Sequence, residues 1–102
     1  MICRLWHGWT RVDDADAYER YLRDDLFPQL ERDVGGSGYR DHHVLRRDVD
    51  GETAFVTLVW FDSLDAVRAF AGEDFERPVL TERARELLVR YDDRAFHYEL
   101  VS

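Results

Sequence analysis

The sequence predicts an α+β domain with the ferredoxin-like order βαββαβ, in which an antiparallel sheet carries helices on one face. Three observations lead to this prediction. Segments with strand and helix periodicity follow one another in that order, Asp50-Gly51 signals a hairpin, and residues 2–10 and 53–61 are apolar on both faces, as expected for central strands. With 102 residues, 45% of them hydrophobic, the chain is expected to form a single domain over residues 1–102.

The first predicted strand, residues 2–10, is rich in apolar and aromatic residues and too short for a helix without caps. Strand alternation places on one face Cys3, Leu5, His7 and Trp9. A helix follows after Asp13 or Asp14, either of which can cap it. Its buried stripe is expected to contain Tyr18, Tyr21, Leu22 and Leu26. Pro28 should kink or shorten this helix, and the glycine-rich segment 35–38 should end it as a linker.

The second predicted strand, residues 39–49, is more polar than the first and should lie at an edge of the sheet. The hairpin turn at 50–51 leads into the third strand, which starts near Thr53. Alternation places on one face of this strand Thr53, Phe55, Thr57, Val59 and Phe61. Residues 94–101 are predicted to close the sheet as the fourth strand.

Two further helical segments are predicted between the third and fourth strands. The first begins after Asp62 or Ser63 and ends at Gly72, and its buried stripe should contain Leu64, Val67, Phe70 and Ala71. The second begins after Thr81 and continues until the acidic pair at 92–93 stops the helical pattern. Its inward-facing residues are expected to be Ala84, Leu87 and Leu88.

The composition excludes several classes of function. The formal charge of −8, from 22 acidic and 14 basic residues, repels phosphate backbones and anionic membrane surfaces, so nucleic acid and membranes are not expected partners. The chain contains no Lys, which excludes lysine Schiff-base chemistry and Walker-type phosphate loops. Cys3 is the single cysteine, and no signal sequence or long apolar run is present, so we expect a cytoplasmic location.

Helices on one face of the predicted sheet would leave its other face bare. That face would carry Trp and aliphatic side chains, and monomeric proteins seldom leave so large an apolar patch in water. We therefore expect a homodimer in which two sheets pack face to face.

Several motifs spread over nearly the whole chain resemble one family. They are Trp60-Phe61-Asp62-Ser63 with the helix LDAVRAFAGEDFERPV after it, Trp6-His7-Gly8, VLRRD at 44–48, and His97-Tyr98-Glu99. This pattern resembles the small dimeric α/β-barrel proteins that include antibiotic biosynthesis monooxygenases and bacterial haem-degrading monooxygenases. The resemblance implies the fold more than an activity, because one fold serves many chemistries.

The haem-degrading branch of that family can be compared residue by residue. The branch uses an Asn in the first strand, a Trp at the end of the third strand and a His after the second helix. This chain has His7, Phe61 and Val79 at those places and contains no Asn, while Trp60 lies one residue away on the opposite strand face. Haem degradation is therefore not expected.

The quinone-forming branch, whose enzymes oxidise polycyclic phenols with molecular oxygen and no cofactor, is the closer resemblance. Such chemistry needs a base, an apolar pocket for flat rings and a donor for the developing oxyanion. His7 is the first candidate for base or donor, and His97 is the second, since its strand could lie beside His7. The expected substrate-binding residues are Trp9, Phe55, Phe61 and Phe75 as walls and Tyr18 or Tyr21 as a hydroxyl.

Other interpretations of the same residues remain open. The chain could be a related polyketide cyclase, or a non-catalytic barrel that binds a small apolar ligand in a stress or regulatory role. The histidines could be hydrogen-bonded structural residues, and the rings could be core and dimer packing. His42 and His43 are adjacent and should point to opposite faces, so no metal site is expected there. A closed pocket beneath the helices that is lined by His7 would favour the enzyme.

Overall fold

The computed structural model describes residues 1–102 as a five-stranded antiparallel sheet with helices packed against one face. The strands are β1 (Ile2–Arg11), β2 (Tyr39–Val49), β3 (Glu52–Phe61), β4 (Leu88–Tyr91) and β5 (Phe96–Glu99). The helices are α1 (Ala15–Tyr21), α2 (Phe27–Val34), α3 (Leu64–Ala71) and α4 (Glu82–Leu87). None of these helices is long and apolar enough to cross a membrane.

The strand order is β2-β3-β1-β4, and β5 pairs with the part of β1 that β4 does not reach. Strands β4 and β5 therefore act as two pieces of one edge strand along β1, where β4 pairs with the end of β1 and β5 with its beginning. This arrangement is compatible with the predicted ferredoxin-like order. The central positions of β1 and β3 and the edge position of β2 are confirmed.

The prediction for residues 88–91 is wrong, because the helix that begins after Thr81 ends at Leu87 and the chain continues as β4. Pairing with β1 overrides the helical pattern, with Gly8 opposite Tyr91 and Trp9 opposite Arg90. Gly8 permits this close approach. A Cβ atom at Gly8 would lie 2.9 Å from Cδ2 of Leu88.

The first helical segment accommodates Pro28 without ending. A 3₁₀ turn (Val12–Asp14) leads into α1, and a π-helical turn (Leu22–Leu26) joins α1 to α2. Proline cannot donate the backbone hydrogen bond of a helix interior. Here Pro28 lies in the first turn of α2, directly after the π turn, so the hydrogen-bonding pattern changes and the helix still reaches Val34.

The predicted hairpin turn and the caps of α3 are confirmed, whereas neither Asp13 nor Asp14 caps the first helix through its side chain. Asp50 and Gly51 both have positive φ angles, of 52° and 79°, as a two-residue hairpin loop requires. The backbone N–H of Ala66 donates to Oγ of Ser63, which caps α3. Gly72 ends that helix with a φ of 89°.

The core lies between the helices and one face of the sheet. The residues expected on one face of β3 are all buried against the helices, and Phe55 and Phe61 are almost fully enclosed. The buried stripe of α3 differs from the prediction, since Ala66 and Val67 are buried while Leu64 is exposed. The opposite sheet face, which we call the open face, carries no helix and includes His7, Trp9, Leu45, Val56, Leu58, Phe96 and Tyr98.

Candidate functional site

An apolar cavity lies between the helices and the sheet, and we call it the helix-side cavity. Twelve of its fifteen lining residues are hydrophobic. The fifteen residues are contributed by β1, β3, the first helical segment, α3, the irregular segment 72–81 and α4. Tyr18 and Tyr21, two of the predicted substrate-binding residues, line it, while His7 does not. The cavity volume is about 60 Å³.

Arg4 is the charged group of this cavity. Its side chain extends from β1 toward the helices, and the residue is only 5% exposed. Nη1 donates to the carbonyl oxygen of Phe75 and lies 3.1 Å from Nε2 of His97, and Nη2 donates to the carbonyl oxygen of Arg77 at 2.9 Å. Burial lowers the pKa of Arg4 to about 10, so the guanidinium is protonated at neutral pH. The sequence did not identify this role, because strand alternation assigns Arg4 to a face without showing that the helices cover that face.

His97 lies beside Arg4 on the same face of the sheet, since the two residues are paired across β1 and β5. A guanidinium can only donate, so Nε2 of His97 accepts the hydrogen bond from Arg4 and Nδ1 carries the proton. Burial, and then the charge of Arg4, lower the pKa of His97 to about 4. The imidazole is therefore neutral at physiological pH, and its basic nitrogen is already occupied. Phe75 packs edge-on against this ring at 5.1 Å.

Phe55 and Phe61 lie in the core around the helix-side cavity and do not line it. The ring of Phe55 packs edge-on against that of Tyr18, with 4.9 Å between the ring centroids. The ring of Phe61 stacks on that of Phe70, a lining residue, with 5.8 Å between the ring centroids. Burial, and then the neighbouring Tyr21, raise the pKa of the Tyr18 hydroxyl, so this hydroxyl is neutral at physiological pH. Phe55 and Phe61 thus pack against lining residues of the cavity without lining it themselves.

His7 lies on the opposite side of the sheet, in a groove of the open face. Its Nδ1 is 3.0 Å from Oδ2 of Asp92, and its ring stacks on Trp9 at 6.0 Å. Donation from Nδ1 to the carboxylate leaves Nε2 as the free basic nitrogen. The groove has a volume of about 440 Å³ and is lined also by Leu45, Val56 and the exposed Arg47.

The expectation that His97 lies beside His7 is wrong. His97 pairs with Arg4, whereas His7 is three residues further along β1, and side chains at odd spacing on a strand point to opposite faces. The predicted site residues are therefore divided. Tyr18 and Tyr21 line the helix-side cavity, Phe75 and His97 lie at Arg4, and His7 and Trp9 lie on the open face.

Asp92 belongs to the acidic pair that was expected only to stop a helical pattern. Besides its contact with His7, its carbonyl oxygen accepts a hydrogen bond from Nε1 of Trp6 at 2.7 Å. The sequence pattern did not indicate these contacts, because Asp92 lies between two predicted elements and His7 lies 85 residues earlier in the chain. His42 and His43 contact Tyr39 and Trp60 separately, and no three His, Cys, Asp or Glu residues lie close enough to hold a metal ion.

No protein-family model matches this chain, and no curated protein matches its sequence. The resemblance to the antibiotic biosynthesis monooxygenases therefore stays a prediction from the motifs named above.

Proposed function

We propose that this protein binds a small, flat, largely apolar molecule in the helix-side cavity. The observation that carries the proposal is an apolar cavity within the core that has one charged group, Arg4, at its wall. Binding sites for small molecules commonly combine an apolar lining with a few polar groups that set orientation. The cavity of about 60 Å³ is smaller than the roughly 150 Å³ that accommodates benzene in an engineered core. A ligand with one or more rings must therefore displace part of the wall, and the irregular segment 72–81 is the part without regular structure.

Binding can be tested by calorimetry with one-ring and two-ring aromatic compounds, charged and uncharged. A Leu26→Trp variant places a ring at the half-buried edge of the cavity and should abolish binding. The matched control is Leu64→Trp, because Leu64 is exposed and does not line the cavity. If no compound of either kind binds the wild-type protein, the proposed function is refuted.

We further propose that the bound molecule is oxidised without a cofactor, as the family resemblance implies. In a representative reaction of this kind, anthrone and O₂ give anthraquinone and water. One oxygen atom replaces the two methylene hydrogens, and the other leaves with them as water. Removal of a proton gives the electron-rich anion that reacts with O₂, and a cationic donor such as Arg4 stabilises that anion. Oxygen uptake with anthrones and hydroquinones tests the reaction.

A second location for this chemistry is the groove on the open face, which the His7–Asp92 hydrogen bond favours. An imidazole held in one tautomer by a carboxylate is suited to act as a general base. Two variants separate the locations. Loss of oxygen uptake in His7→Ala with retention in Arg4→Lys would assign the reaction to the open face, and the opposite result would assign it to the helix-side cavity.

A non-catalytic role is the second candidate function. It is favoured by the occupied Nε2 of His97 and by the position of His7 outside the cavity, which together leave the cavity without a free basic nitrogen. The protein would then bind a small apolar ligand in a stress or regulatory role. A related polyketide cyclase is a separate alternative, because it would be an enzyme. Ligand binding without oxygen uptake, in wild type and both variants, would support this candidate over the monooxygenase.

The proposed assembly is a homodimer in which two open faces form a dimeric α/β barrel. Three apolar side chains on this face are about half exposed, Leu45 at 54%, Phe96 at 49% and Tyr98 at 57%. Covering them would remove apolar surface from water. Light scattering should give twice the chain mass of 12.1 kDa, and Leu45→Glu should reduce the mass to that of a monomer. The control is Val12→Glu, since Val12 is 46% exposed but lies outside the sheet.

The location that we propose is the cytoplasm. Cys3 is buried and makes no disulfide, which suits a reducing compartment.

A further inference from the structure

Arg4 combines two properties that a purely structural arginine does not need. It is the one arginine among the buried residues, and no carboxylate lies within ion-pair distance of it. The chain has 22 acidic residues for 14 arginines, so acidic partners are plentiful elsewhere. Burying a charge without a counter-ion is costly, and such charges are normally paired.

The hydrogen bonds of Arg4 leave part of its guanidinium free. A guanidinium has five N–H donors, and those of Arg4 reach two carbonyl oxygens and one imidazole nitrogen. The Nε–H group and one Nη2–H group have no partner in the protein. Elsewhere in this chain, Arg23 and Arg40 use Nε and Nη2 together to bind one carboxylate, that of Asp24 and Asp62 respectively.

The contacts that Arg4 does make have a structural effect, because they hold the irregular segment before α4. The carbonyl oxygens of Phe75 and Arg77 bond to Arg4, and that of Glu76 accepts from the backbone N–H of Ala95. Carbonyl oxygens can be satisfied by neutral donors, so this role accounts for the hydrogen bonds and not for the uncompensated charge. Arg4 lines a cavity whose other lining residues are neutral, and Cζ of its guanidinium lies 5.4 Å from the ring centroid of Phe70, one of these residues.

We infer that the ligand of the helix-side cavity is a small apolar carboxylic acid, whose carboxylate binds the free Nε and Nη2 groups of Arg4 while its hydrocarbon part contacts the apolar wall. The inference rests on the proposed function and specifies the class of molecule bound. The carboxylate supplies the counter-ion that the protein lacks at Arg4. Planar, two-point recognition by an arginine fork is the geometry that carboxylates favour.

The test compares acids with uncharged amides of nearly the same shape on the wild-type protein. Benzoate with benzamide, and 1-naphthoate with 1-naphthamide, are titrated by calorimetry at pH 7. We expect each acid to bind at least about tenfold more tightly than its amide, since a charge-assisted pair in an apolar site is stronger than a neutral contact. Equal affinities of acid and amide would overturn the inference and leave the proposed function standing. If neither the acids nor the amides bind, both the inference and the proposed function are overturned.

Variants locate the contact on Arg4. Arg4→Lys keeps a positive charge but loses the two-point fork, so the ratio of acid affinity to amide affinity should fall about tenfold. The ratio is used because the loss of contacts to Phe75 and Arg77 affects the cavity wall for both compounds. Arg20→Lys is the control, because Arg20 is exposed on α1 and does not line the cavity. An unchanged ratio of acid affinity to amide affinity in a folded Arg4→Lys protein would overturn the inference.

Tryptophan fluorescence gives an independent measurement that needs no change at Arg4. Trp6 lines the helix-side cavity, whereas Trp9 lies in the open-face groove. Naphthoate should therefore change the fluorescence of a Trp9→Phe protein and not that of a Trp6→Phe protein. The reverse result would place the acid near Arg47 on the open face and overturn the inference.

Discussion

Replacing Thr81 by alanine should destabilise the fold by about 2 kcal/mol, because one hydroxyl group serves two elements. Oγ1 of Thr81 accepts a hydrogen bond from the backbone N–H of Ala84 at 3.2 Å, which caps α4. The same oxygen is hydrogen-bonded to the hydroxyl of Tyr21, a buried residue at the end of α1. Thr81 therefore connects two helices that border the helix-side cavity.

The magnitude follows from the two bonds. Loss of a threonine N-cap costs typically about 1 kcal/mol. Loss of an ordinary hydrogen bond to Tyr21 costs about 1 kcal/mol more. For a domain of this size, a total of about 2 kcal/mol corresponds to a decrease in melting temperature of roughly 8–16 °C. Thr81→Ser keeps the hydroxyl and should change stability by less than about 0.5 kcal/mol.

A double-mutant cycle measured by urea unfolding separates the two contributions. Tyr21→Phe alone should cost about 1 kcal/mol, and the double variant Tyr21→Phe with Thr81→Ala about 2 rather than 3 kcal/mol, because their shared bond is lost only once. If the two single effects are additive, the hydrogen bond between the helices contributes nothing and the reasoning is refuted. A destabilised Thr81→Ser protein would show that the methyl group, and not the hydroxyl, is responsible.

Two further predictions concern backbone geometry and pH. Gly38 has a φ of +100° and a Cβ there would lie 2.7 Å from Cβ of Ala66, whereas Gly51, with a φ of +79°, has open space around it. Gly38→Ala should therefore cost about 1 kcal/mol or more beyond Gly51→Ala in urea unfolding, and equal costs would contradict the close contact. The pKa of His97 is about 4 when folded, lowered by burial and by Arg4, against 6.5 for an unperturbed histidine. Unfolding then takes up protons between these values, so wild-type stability should fall, relative to His97→Gln, as pH is lowered from 7 to 4.5; equal slopes would contradict this.

The sequence was sufficient for those elements whose signals are local. Alternation identified β1 and β3 as central strands, the Asp50-Gly51 pair identified the hairpin, and Ser63 identified the start of α3. Each of these signals depends on residues next to one another in the chain. For these elements, the residues that determine the local structure lie within the segment itself.

The parts that sequence reasoning missed depend on distant partners. Leu88 continues a helical pattern from α4, and only its pairing with β1 makes it part of a strand. Arg4 becomes notable only once the helices enclose it, and Asp92 only once it meets His7. His97 was expected next to His7, but the register of β5 places it on the helix side. Long-range register, which no local pattern encodes, decided where the candidate site lies.

The interruption between β4 and β5 has a consequence for communication across the sheet. Asp92 lies in this gap. Its carbonyl oxygen accepts a hydrogen bond from Trp6, which lines the helix-side cavity, and its carboxylate accepts one from His7 in the open-face groove. In a continuous edge strand, each side chain would contact only one face of the sheet. Asp92 is thus the one residue that is hydrogen-bonded to both the Trp6 side chain at the wall of the cavity and the His7 side chain of the groove. Any coupling that Asp92 carries between the two sites would be reciprocal, with the same free energy in both directions.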